Sequence, residues 1–574
     1  MNLASLLTES IQYSLYSAKK PCYVLMLDAK SAFDKILKEF IIRNAFLAGS
    51  HGQGLLYLAD RLSNRKTFVE WDKCLMGPIL DLLGVEQGGC VSDKLYKLAN
   101  NEQLSVAQLS QLGLAMNSIV VSAIGQADDT LLISDCIFKL QLLLQLAVDY
   151  CTKYHVELVP EKTKLLCYTP SGLASTTLYW KLVSPVSLQN QKLEFSNEAE
   201  HVGIIRSVDG NLPNIVSRMS AHNAALKAVL PAGIARAHRG NPAAALRIEL
   251  LYASPVLLSG LASLVLSKTE TDILKQYYKV NLQRLQKLYN ATPDPVVYFL
   301  GGSLPLPALL HIRQLGHLGM IARLGPDHIL HKHGCSTLTT AKSSSRSWFL
   351  QVREISSKYE LPDPLTILTT SPSTKLSYKK LVRSRVMNYW ETKLRQDAAP
   401  LLSLEFFQPQ FYSLSRPHPI WSSAGSNPYE VEKACCQAKM LSGRYRTCWL
   451  SRHWSGVSSG YCILPSCSLK PIFGTLPHIL RDCEDLQPAR LRVFSLWSDF
   501  LQDKPLLLPI VQKYKEDASK FVQFVVDCTV LPEVISLKQL QGKWVHDSLL
   551  YLTRTFCFSV HKARLKLLGK WNVK

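Results

Sequence analysis

The first part of the chain alternates short apolar runs with longer segments in which apolar residues recur at helical spacing. Residues 23–27, 118–124 and 130–134 are short runs rich in Val, Ile and Leu, which predict β-strands. The last two flank the polar residues 125–129 and therefore predict a β-hairpin. Residues 140–155 carry apolar positions three and four apart, which predict a helix packed against this sheet. The pattern is typical of an α+β fold with an antiparallel sheet.

Residues 211–290 follow a different pattern, which predicts helices on a cationic segment. Breaks are predicted at Pro231, at residues 240–242 and at Pro255, where proline or glycine interrupts the apolar spacing. The segment holds ten Lys and Arg residues against three acidic ones. An ordinary solvated helix face explains such residues as well as a binding face does. Four of these cations are candidates for binding nucleic acid: Lys275, Lys279, Arg284 and Lys287.

Composition narrows the class of protein. The 574 residues carry 65 Lys and Arg against 44 Asp and Glu, a formal charge of +21, yet only 19% are charged and 47% are hydrophobic. A disordered basic tail is excluded, and a folded basic surface favours nucleic acid or an anionic membrane as partner. The uncharged stretch 250–266 is shorter than the ~20 residues that a bilayer needs, so no membrane association is expected.

The cysteines indicate a reducing compartment. There are 15 of them, an odd number scattered along the chain, and no signal peptide is expected before them. They do not form the evenly paired framework of a secreted domain. An intracellular location, nuclear or cytoplasmic, is therefore expected.

Three aspartates stand where strands end. Asp28 follows the first apolar run, and Asp128 and Asp129 lie in the predicted hairpin turn. Carboxylates converging at a sheet edge suit a hard cation such as Mg²⁺ (or Mn²⁺) that also binds phosphates. Aspartates are also common in hairpin turns for local hydrogen-bonding reasons, which is the alternative.

The segments around these aspartates resemble reverse transcriptases, especially those of non-LTR (LINE-type) retrotransposons. Residues 27–34 (LDAKSAFD) resemble motif A, and residues 84–92 (GVEQGGCVS) resemble motif B. Residues 126–129 (QADD) resemble motif C, and residues 158–164 (LVPEKTK) resemble motif D. A weaker candidate for motif E is HVG at 201–203. The resemblance therefore implies a right-hand polymerase palm and RNA-directed DNA polymerase activity.

The resemblance also assigns roles to individual residues. It implies that Asp28 and Asp128 are the principal ligands of two Mg²⁺ or Mn²⁺ ions, that Asp129 assists, and that Lys162 approaches the leaving pyrophosphate. A solvated lysine is the alternative for Lys162.

The same resemblance implies that Phe33 is a steric gate against a 2′-hydroxyl and that Gln87 and Gly88 line the nascent base pair. The implied partners are an RNA template, a DNA primer or target, and deoxynucleoside triphosphates.

A second candidate site lies near the C-terminus. Cys462, Cys467, His478 and Cys483 offer three thiolates and an imidazole, the ligands of a tetrahedral structural zinc. In the family a Cys-Cys-His-Cys knuckle follows the polymerase, although its first two cysteines are usually closer together than here. Buried cysteines and a capping histidine are the alternative.

These features divide the chain into four predicted regions. They are a palm with partial fingers (1–175), a helical basic thumb or connection (176–335), a linker and helical connector (336–430) that includes a polar loop at 337–347, and a C-terminal region with the zinc knuckle (431–574). Only 27 residues precede Asp28, so the resemblance implies an N-terminally truncated polymerase without fingers or endonuclease. The alternative function is a catalytically silent, retroelement-derived nucleic-acid-binding protein or remnant.

Overall fold

The chain forms two compact units, each gathered from segments that are far apart in sequence. The computed structural model describes residues 2–30, 32–63, 65–80, 83–85, 91–117, 119–126, 129–170, 184–229, 240–340, 345–370, 374–455, 459–468 and 470–569. The first unit comprises Met1–Ser217, Ser259–Glu270 and Arg313–Val382. The second comprises Arg218–Leu258, Thr271–Ile312 and Arg383–Lys574. The four continuous regions predicted above stay a prediction.

Strands and helices are mixed in the first 210 residues. The strands are β1 (Cys22–Leu27), β2 (Lys66–Trp71), β3 (Cys74–Leu80), β4 (Leu114–Met116), β5 (Ile119–Val121), β6 (Ala123–Gln126), β7 (Asp129–Ser134), β8 (Lys164–Tyr168), β9 (Ser187–Leu188), β10 (Gln191–Lys192), β11 (Glu198–His201) and β12 (Ile204–Ser207). The helices are α1 (Asn2–Gln12), α2 (Ala32–Lys35), α3 (Lys38–Leu47), α4 (Gly52–Ser63), α5 (Ser92–Leu109) and α6 (Ile137–Lys153).

Beyond residue 210, the regular elements of the described part of the chain are helices, joined by turns and loops. The helices are α7 (Leu212–Val229), α8 (Pro242–Ile248), α9 (Ser254–Leu257), α10 (Lys268–Leu285), α11 (Asp294–Gly301), α12 (Leu306–Ala322), α13 (Ile329–Thr340), α14 (Trp348–Lys358), α15 (Pro364–Thr369), α16 (Lys375–Ala398), α17 (Pro419–Ser422), α18 (Pro428–Leu441), α19 (Cys448–Ser455), α20 (Gln487–Leu501), α21 (Leu508–Glu516), α22 (Phe521–Val526), α23 (Pro532–Gln541) and α24 (Trp544–Leu567). The chain is therefore a mixed α/β protein with small antiparallel sheets.

A four-stranded antiparallel sheet of order β6-β7-β1-β8 organises the first unit. Every residue of β1 is buried, which explains its unbroken apolar sequence. A hairpin is present as predicted, but its strands are β6 and β7, which reach into the predicted turn at 125–129, so that Gln126 pairs with Asp129. The predicted strand at 118–124 is divided, because β5 pairs with β4 in a separate two-stranded sheet. The predicted helix is confirmed as α6, whose Leu140 and Leu144 pack into the same core as strand residues of β1. Burial of each such leucine contributes roughly 1.5–3 kcal/mol.

A buried carboxylate ties α1 to later segments of the first unit. Glu9 accepts hydrogen bonds from the Ser347 hydroxyl at 2.8 Å and the Trp348 backbone N–H at 2.5 Å. Nε2 of His333 lies 3.0 Å from the same carboxylate. Burying a carboxylate is unfavourable unless such partners compensate for its lost hydration. This network helps to explain why the first unit includes residues beyond 312.

Two predicted interruptions of helices differ from the structure. At Pro255 the helix does not break, because the wide turn Glu249–Ala253 carries α8 into α9, and the Ser254 N–H bonds to the Glu249 carbonyl five residues back. The predicted loop at 337–347 is helical as far as Thr340. There the hydroxyls of Thr339 and Thr340 bond to carbonyls four residues back, so polar side chains are accommodated within the helix. The break predicted at Pro231 lies outside the described residues.

Within the described part of the chain, no single helix has the length and apolar character needed to cross a membrane. The helices Asp294–Gly301 and Leu306–Ala322 meet that test only when they are taken together as a bent pair.

Candidate metal centres

Two of the three predicted carboxylates lie where neighbouring strands meet at one end of the sheet. Leu27, the last residue of β1, pairs with Thr130 of β7, so Asp28 directly follows β1 and Asp129 is the first residue of β7 beside it. Directly opposed residues lie about 4.5–5.5 Å apart and project from the same face. Asp28 is half-buried and Asp129 is exposed. Asp128 lies outside the described residues.

Lys162 is in contact with the first of these carboxylates. Its Nζ lies 3.7 Å from Oδ2 of Asp28, and the two side chains are 69% and 41% exposed. The turn that carries Lys162 is attached to the end of β1, because the Val159 N–H donates to the Asp28 carbonyl at 3.0 Å. Ala29 and Leu158 form a bridge beside this bond. The segments that resemble motifs A and D therefore meet at the sheet edge.

An ion-pair cluster that the sequence did not predict lies beside this contact. Glu157 binds Nζ of Lys35 at 2.8 Å and Nζ of Lys30 at 3.2 Å. Hydrogen bonds from Lys35 and then from Lys30 hold the pKa of Glu157 below its ordinary value. The only signal in the sequence was its position immediately before residues 158–164. These pairs add to the attachment between residues 30–35 and the turn that bears Lys162.

Phe33 and the start of the motif-B-like segment lie against one another. The Phe33 ring packs on Tyr96 of α5, with ring centroids 4.7 Å apart. The Val85 N–H donates to the Phe33 carbonyl at 2.8 Å. Gly84 has φ +79°, and a Cβ there would lie 2.7 Å from the Asp34 carbonyl oxygen, so only glycine fits. Gln87 and Gly88 lie outside the described residues, and their predicted role stays a prediction.

The second candidate centre brings together all four predicted sulfur and nitrogen ligands. The ligand atoms of Cys462, Cys467, His478 and Cys483 lie within 4.8 Å of one another, and all four residues are buried. Sγ of Cys467 is 3.8 Å from Sγ of Cys483 and 3.5 Å from Nε2 of His478. A tetrahedral zinc with its usual bond lengths would place two sulfurs about 3.8 Å apart and a sulfur and a nitrogen about 3.5 Å apart. The donor set and its spacing therefore fit a structural zinc.

Local backbone structure holds these ligands in position. Cys467 ends the short turn Pro465–Cys467, and Cys483 follows the wide turn His478–Asp482, where its N–H donates to the His478 carbonyl at 2.8 Å. The Cys462 N–H donates a hydrogen bond to the Ile472 carbonyl at 2.8 Å. A Cβ at Gly474 would lie 2.8 Å from Cβ of Cys448 and 3.3 Å from Cα of Cys462, so the absence of a side chain permits this approach. The irregular turns explain how an unusual ligand spacing still produces a compact cluster.

Burial controls the protonation of this cluster. It raises the pKa of Cys483 to about 12 and also raises the pKa of Cys462. It lowers the pKa of His478, which keeps the imidazole neutral. Arg490, another buried residue that the sequence did not indicate, donates to the Cys483 carbonyl at 2.8 Å. A zinc with three thiolates and one imidazole carries a net negative charge, which this guanidinium would offset.

The four predicted nucleic-acid-binding cations fall into two pairs. Nζ of Lys275 lies 3.6 Å from Asp294, and Nζ of Lys279 lies 2.5 Å from it. Arg284 in the last turn of α10 and Lys287 just after it line a cavity of about 750 Å³. Asp294 begins α11 and was not predicted as a partner.

Comparison of the chain with models of known protein families and with curated proteins found no match.

Proposed function

We propose that the chain is an RNA-directed DNA polymerase related to those of non-LTR retrotransposons. The observation that carries the proposal is the convergence of Asp28, Asp129 and Lys162 at one sheet edge. Motif resemblance alone does not require these residues to meet, because more than 100 positions separate Asp28 from the other two. The antiparallel sheet with helices packed on it is the architecture that a polymerase palm would need. The net charge of +21 suits a nucleic-acid substrate.

In this proposal the sheet edge is the polymerase centre. Asp28 and Asp129, with Asp128, would hold two Mg²⁺ or Mn²⁺ ions, which activate a primer 3′-hydroxyl and stabilise the leaving pyrophosphate when bound. Lys162 would move from Asp28 toward the pyrophosphate and supply positive charge or a proton there. Phe33, fixed on Tyr96, would lie beneath the incoming sugar and exclude a 2′-hydroxyl.

Primer extension on a primed RNA template tests the proposal. With Mg²⁺ or Mn²⁺ and deoxynucleoside triphosphates, the wild-type protein should extend the primer, and Asp28→Asn should reduce extension by at least about 10³-fold, because a metal ligand is lost. Asp209→Asn removes an exposed carboxylate elsewhere in the first unit and is the matched control. Equal extension by wild type and Asp28→Asn would contradict the proposal.

A second candidate is nucleic-acid binding without catalysis. It is favoured by the net charge of +21 and by Arg284 and Lys287, for which no carboxylate lies within ion-pair distance among the described residues. Salt-dependent binding of a primed duplex without extension under any divalent metal would support it. The aspartates would then have no catalytic role.

We also propose that Cys462, Cys467, His478 and Cys483 hold a structural zinc ion. The proposal is supported by the match between their mutual distances and a tetrahedral site. The metal would require thiolates, so binding would release the protons that burial otherwise keeps on the thiols.

A further inference from the structure

A cavity of about 750 Å³ opens in the second unit where three helices converge. The last turn of α10 contributes Arg284, and the turn that follows contributes Lys287. Helix α18 contributes Glu432, Cys435 and Lys439, whose spacing of three and four residues places them on one face. Helix α24 closes the third side. The cavity falls within the size range of about 300–1,000 Å³ in which proteins bind small molecules and cofactors.

The lining is positively charged, and its cations are not neutralised by the protein. Arg284 is exposed, and Lys287 and Lys439 are half-buried. Among the described residues, none of the three has a carboxylate within 4 Å, in contrast to Lys275 and Lys279. Glu432 is the one acidic residue among those that line the cavity. Three cations facing one carboxylate give an anion-binding surface.

Aromatic rings stand next to these cations. Nζ of Lys439 lies 5.2 Å from the centre of the Tyr289 ring, and the Arg446 guanidinium lies 5.6 Å from it. Tyr289 is half-buried and Tyr429 is exposed, so parts of both rings are accessible from the cavity. Aromatic faces beside cations are the combination with which proteins bind unpaired nucleotides, since the ring stacks on a base while the cations contact phosphate.

The buried part of the lining is neutral. Burial, assisted by the charges of Arg564 and Lys439, lowers the pKa of His561 to about 4. Nδ1 of His561 lies 2.7 Å from the Tyr445 hydroxyl. The lowered pKa favours an uncharged His561 near neutral pH, so the charged basic residues among those that line the cavity are Arg284, Lys287 and Lys439. The cations and the aromatic rings therefore lie side by side in the lining, where one ligand can contact both.

We infer that this cavity binds a nucleoside phosphate, with its phosphate held by Arg284, Lys287 and Lys439 and its base stacked on Tyr289 or Tyr429. The ligand would be either a free nucleotide or one unpaired nucleotide of a single strand, since both present the same chemistry. The inference does not depend on polymerase activity at the sheet edge.

Binding to the full-length protein can be measured with three probes: adenosine monophosphate, an eight-residue oligoadenylate and inorganic phosphate. The double variant Arg284→Gln/Lys439→Gln should weaken binding of both nucleotide probes by about 10- to 100-fold and reduce the salt dependence of oligoadenylate binding. Lys287 is left unchanged because its φ of +55° makes a substitution harder to interpret. Lys393→Gln/Lys543→Gln makes the same change in net charge at two lysines paired elsewhere in the second unit. This control pair should change affinity less than twofold.

Two single variants separate nucleoside recognition from simple charge. Tyr289→Leu should weaken both nucleotide probes about tenfold without changing phosphate binding, because only stacking is removed. Glu432→Gln should tighten all three probes a few-fold, because a repelling charge is removed. A merely structural perturbation would not strengthen binding.

The outcomes of these measurements are distinct. Binding of oligoadenylate without the monophosphate would support the inference with a single strand as the ligand, and binding of both would support a free nucleotide. Equal weakening by the two double variants, or competition by inorganic phosphate as effective as that by the monophosphate, would overturn it. Primer extension by Asp28→Asn and probe binding by Arg284→Gln/Lys439→Gln report on different sites, so failure of the proposed polymerase activity and failure of this inference are distinguishable.

Discussion

The two candidate metal centres are built in opposite ways. In the cluster of Cys462, Cys467, His478 and Cys483 every candidate ligand is buried. Sγ of Cys467 lies 3.8 Å from Sγ of Cys483 and 3.5 Å from Nε2 of His478, and these distances match those between ligands of a tetrahedral zinc ion. At the sheet edge, Asp28 and Asp129 lie at the surface, and a lysine contacts the former at 3.7 Å. A buried, closed set of soft ligands is suited to stabilising a fold, whereas exposed hard ligands leave room for a substrate.

Desolvation explains why the two candidate metal centres differ in their need for an ion. Exposed carboxylates stay hydrated and tolerate their charge without an ion, and the nearby Lys162 contributes at most about 1 kcal/mol at such exposure. Buried thiols are unfavourable as thiolates, as the pKa of Cys483 near 12 indicates. At the proposed zinc site, the thiols of Cys462 and Cys483 would therefore favour their protons until a metal enters. Loss of metal should consequently affect stability at the cluster and activity at the sheet edge.

The largest expected effect is the loss of a cluster ligand. Cys467 is the best position, since its sulfur lies within 3.8 Å of both Cys483 and His478. Cys467→Ala should abolish zinc binding and destabilise the second unit by on the order of 4 kcal/mol, because a ligand and its metal are lost together. Zinc content of the purified protein and its thermal unfolding, with and without a chelator, measure both effects.

Cys74→Ala is the matched control for this prediction. Cys74 is an exposed cysteine in β3, remote in sequence from the cluster. Its removal should change neither zinc content nor the unfolding temperature. If Cys467→Ala retained a full equivalent of zinc, the cluster would not be the zinc site and the contrast between the two centres would fail.

Acidification should destabilise the first unit by an intermediate amount through a buried histidine. Burial first, and then the charge of Arg206, lower the pKa of His201 to about 4. Among the described residues neither of its ring nitrogens has a hydrogen-bond partner. Between pH ~6.5 and pH 4 the unfolded chain binds a proton that the folded chain does not, so the free energy of unfolding falls as pH falls. The loss is on the order of 2 kcal/mol across this window.

His201→Leu isolates this contribution. The variant removes the titrating group, so its denaturant midpoint should fall less than that of wild type between pH 7.5 and pH 4.5. If acid releases zinc, the release affects wild type and His201→Leu equally, so it cancels when their denaturant midpoints are subtracted. Identical pH dependence in the two proteins would show that His201 does not titrate in this way, and acid sensitivity would then arise elsewhere.

Elements of secondary structure that depend on the spacing of apolar residues within one short segment could be predicted from the sequence. The hairpin of β6 and β7 and the helix α6 follow from runs and spacings within about 40 residues. Membership of the cysteine cluster was also predictable, because its three cysteines and one histidine lie close together in the sequence, between residues 462 and 483. The structure corrects the sequence interpretation at Pro255 and at Thr340, where a wide turn and hydroxyl-to-carbonyl bonds accommodate residues that usually end helices.

Contacts between distant segments could not be predicted in the same way. Asp294 pairs with Lys275 and Lys279, two of the four cations that the sequence indicated as candidates for binding nucleic acid. Lys439 lies more than 150 residues after Arg284 yet lines the same cavity. Glu157 joins Lys30 and Lys35 across the sheet edge. Each of these contacts depends on tertiary packing, which periodicity within one segment does not describe.

The smallest expected effect concerns Lys162 and tests the sheet edge directly. Because its ammonium lies 3.7 Å from Asp28, it competes with a divalent cation for the same carboxylate. Lys162→Met should change the free energy of unfolding by less than about 1 kcal/mol, since the Lys162 and Asp28 side chains are 69% and 41% exposed to solvent. It should tighten Mn²⁺ binding a few-fold, as measured by electron paramagnetic resonance titration, while lowering any primer extension.

Lys164→Met, two residues further on at the start of β8, is the matched control, because its Nζ contacts the Glu161 carbonyl instead. Mn²⁺ affinities that are the same in both variants and in Asp28→Asn would mean that the sheet edge binds no divalent cation, and the cysteine cluster would then be the sole metal centre of the two.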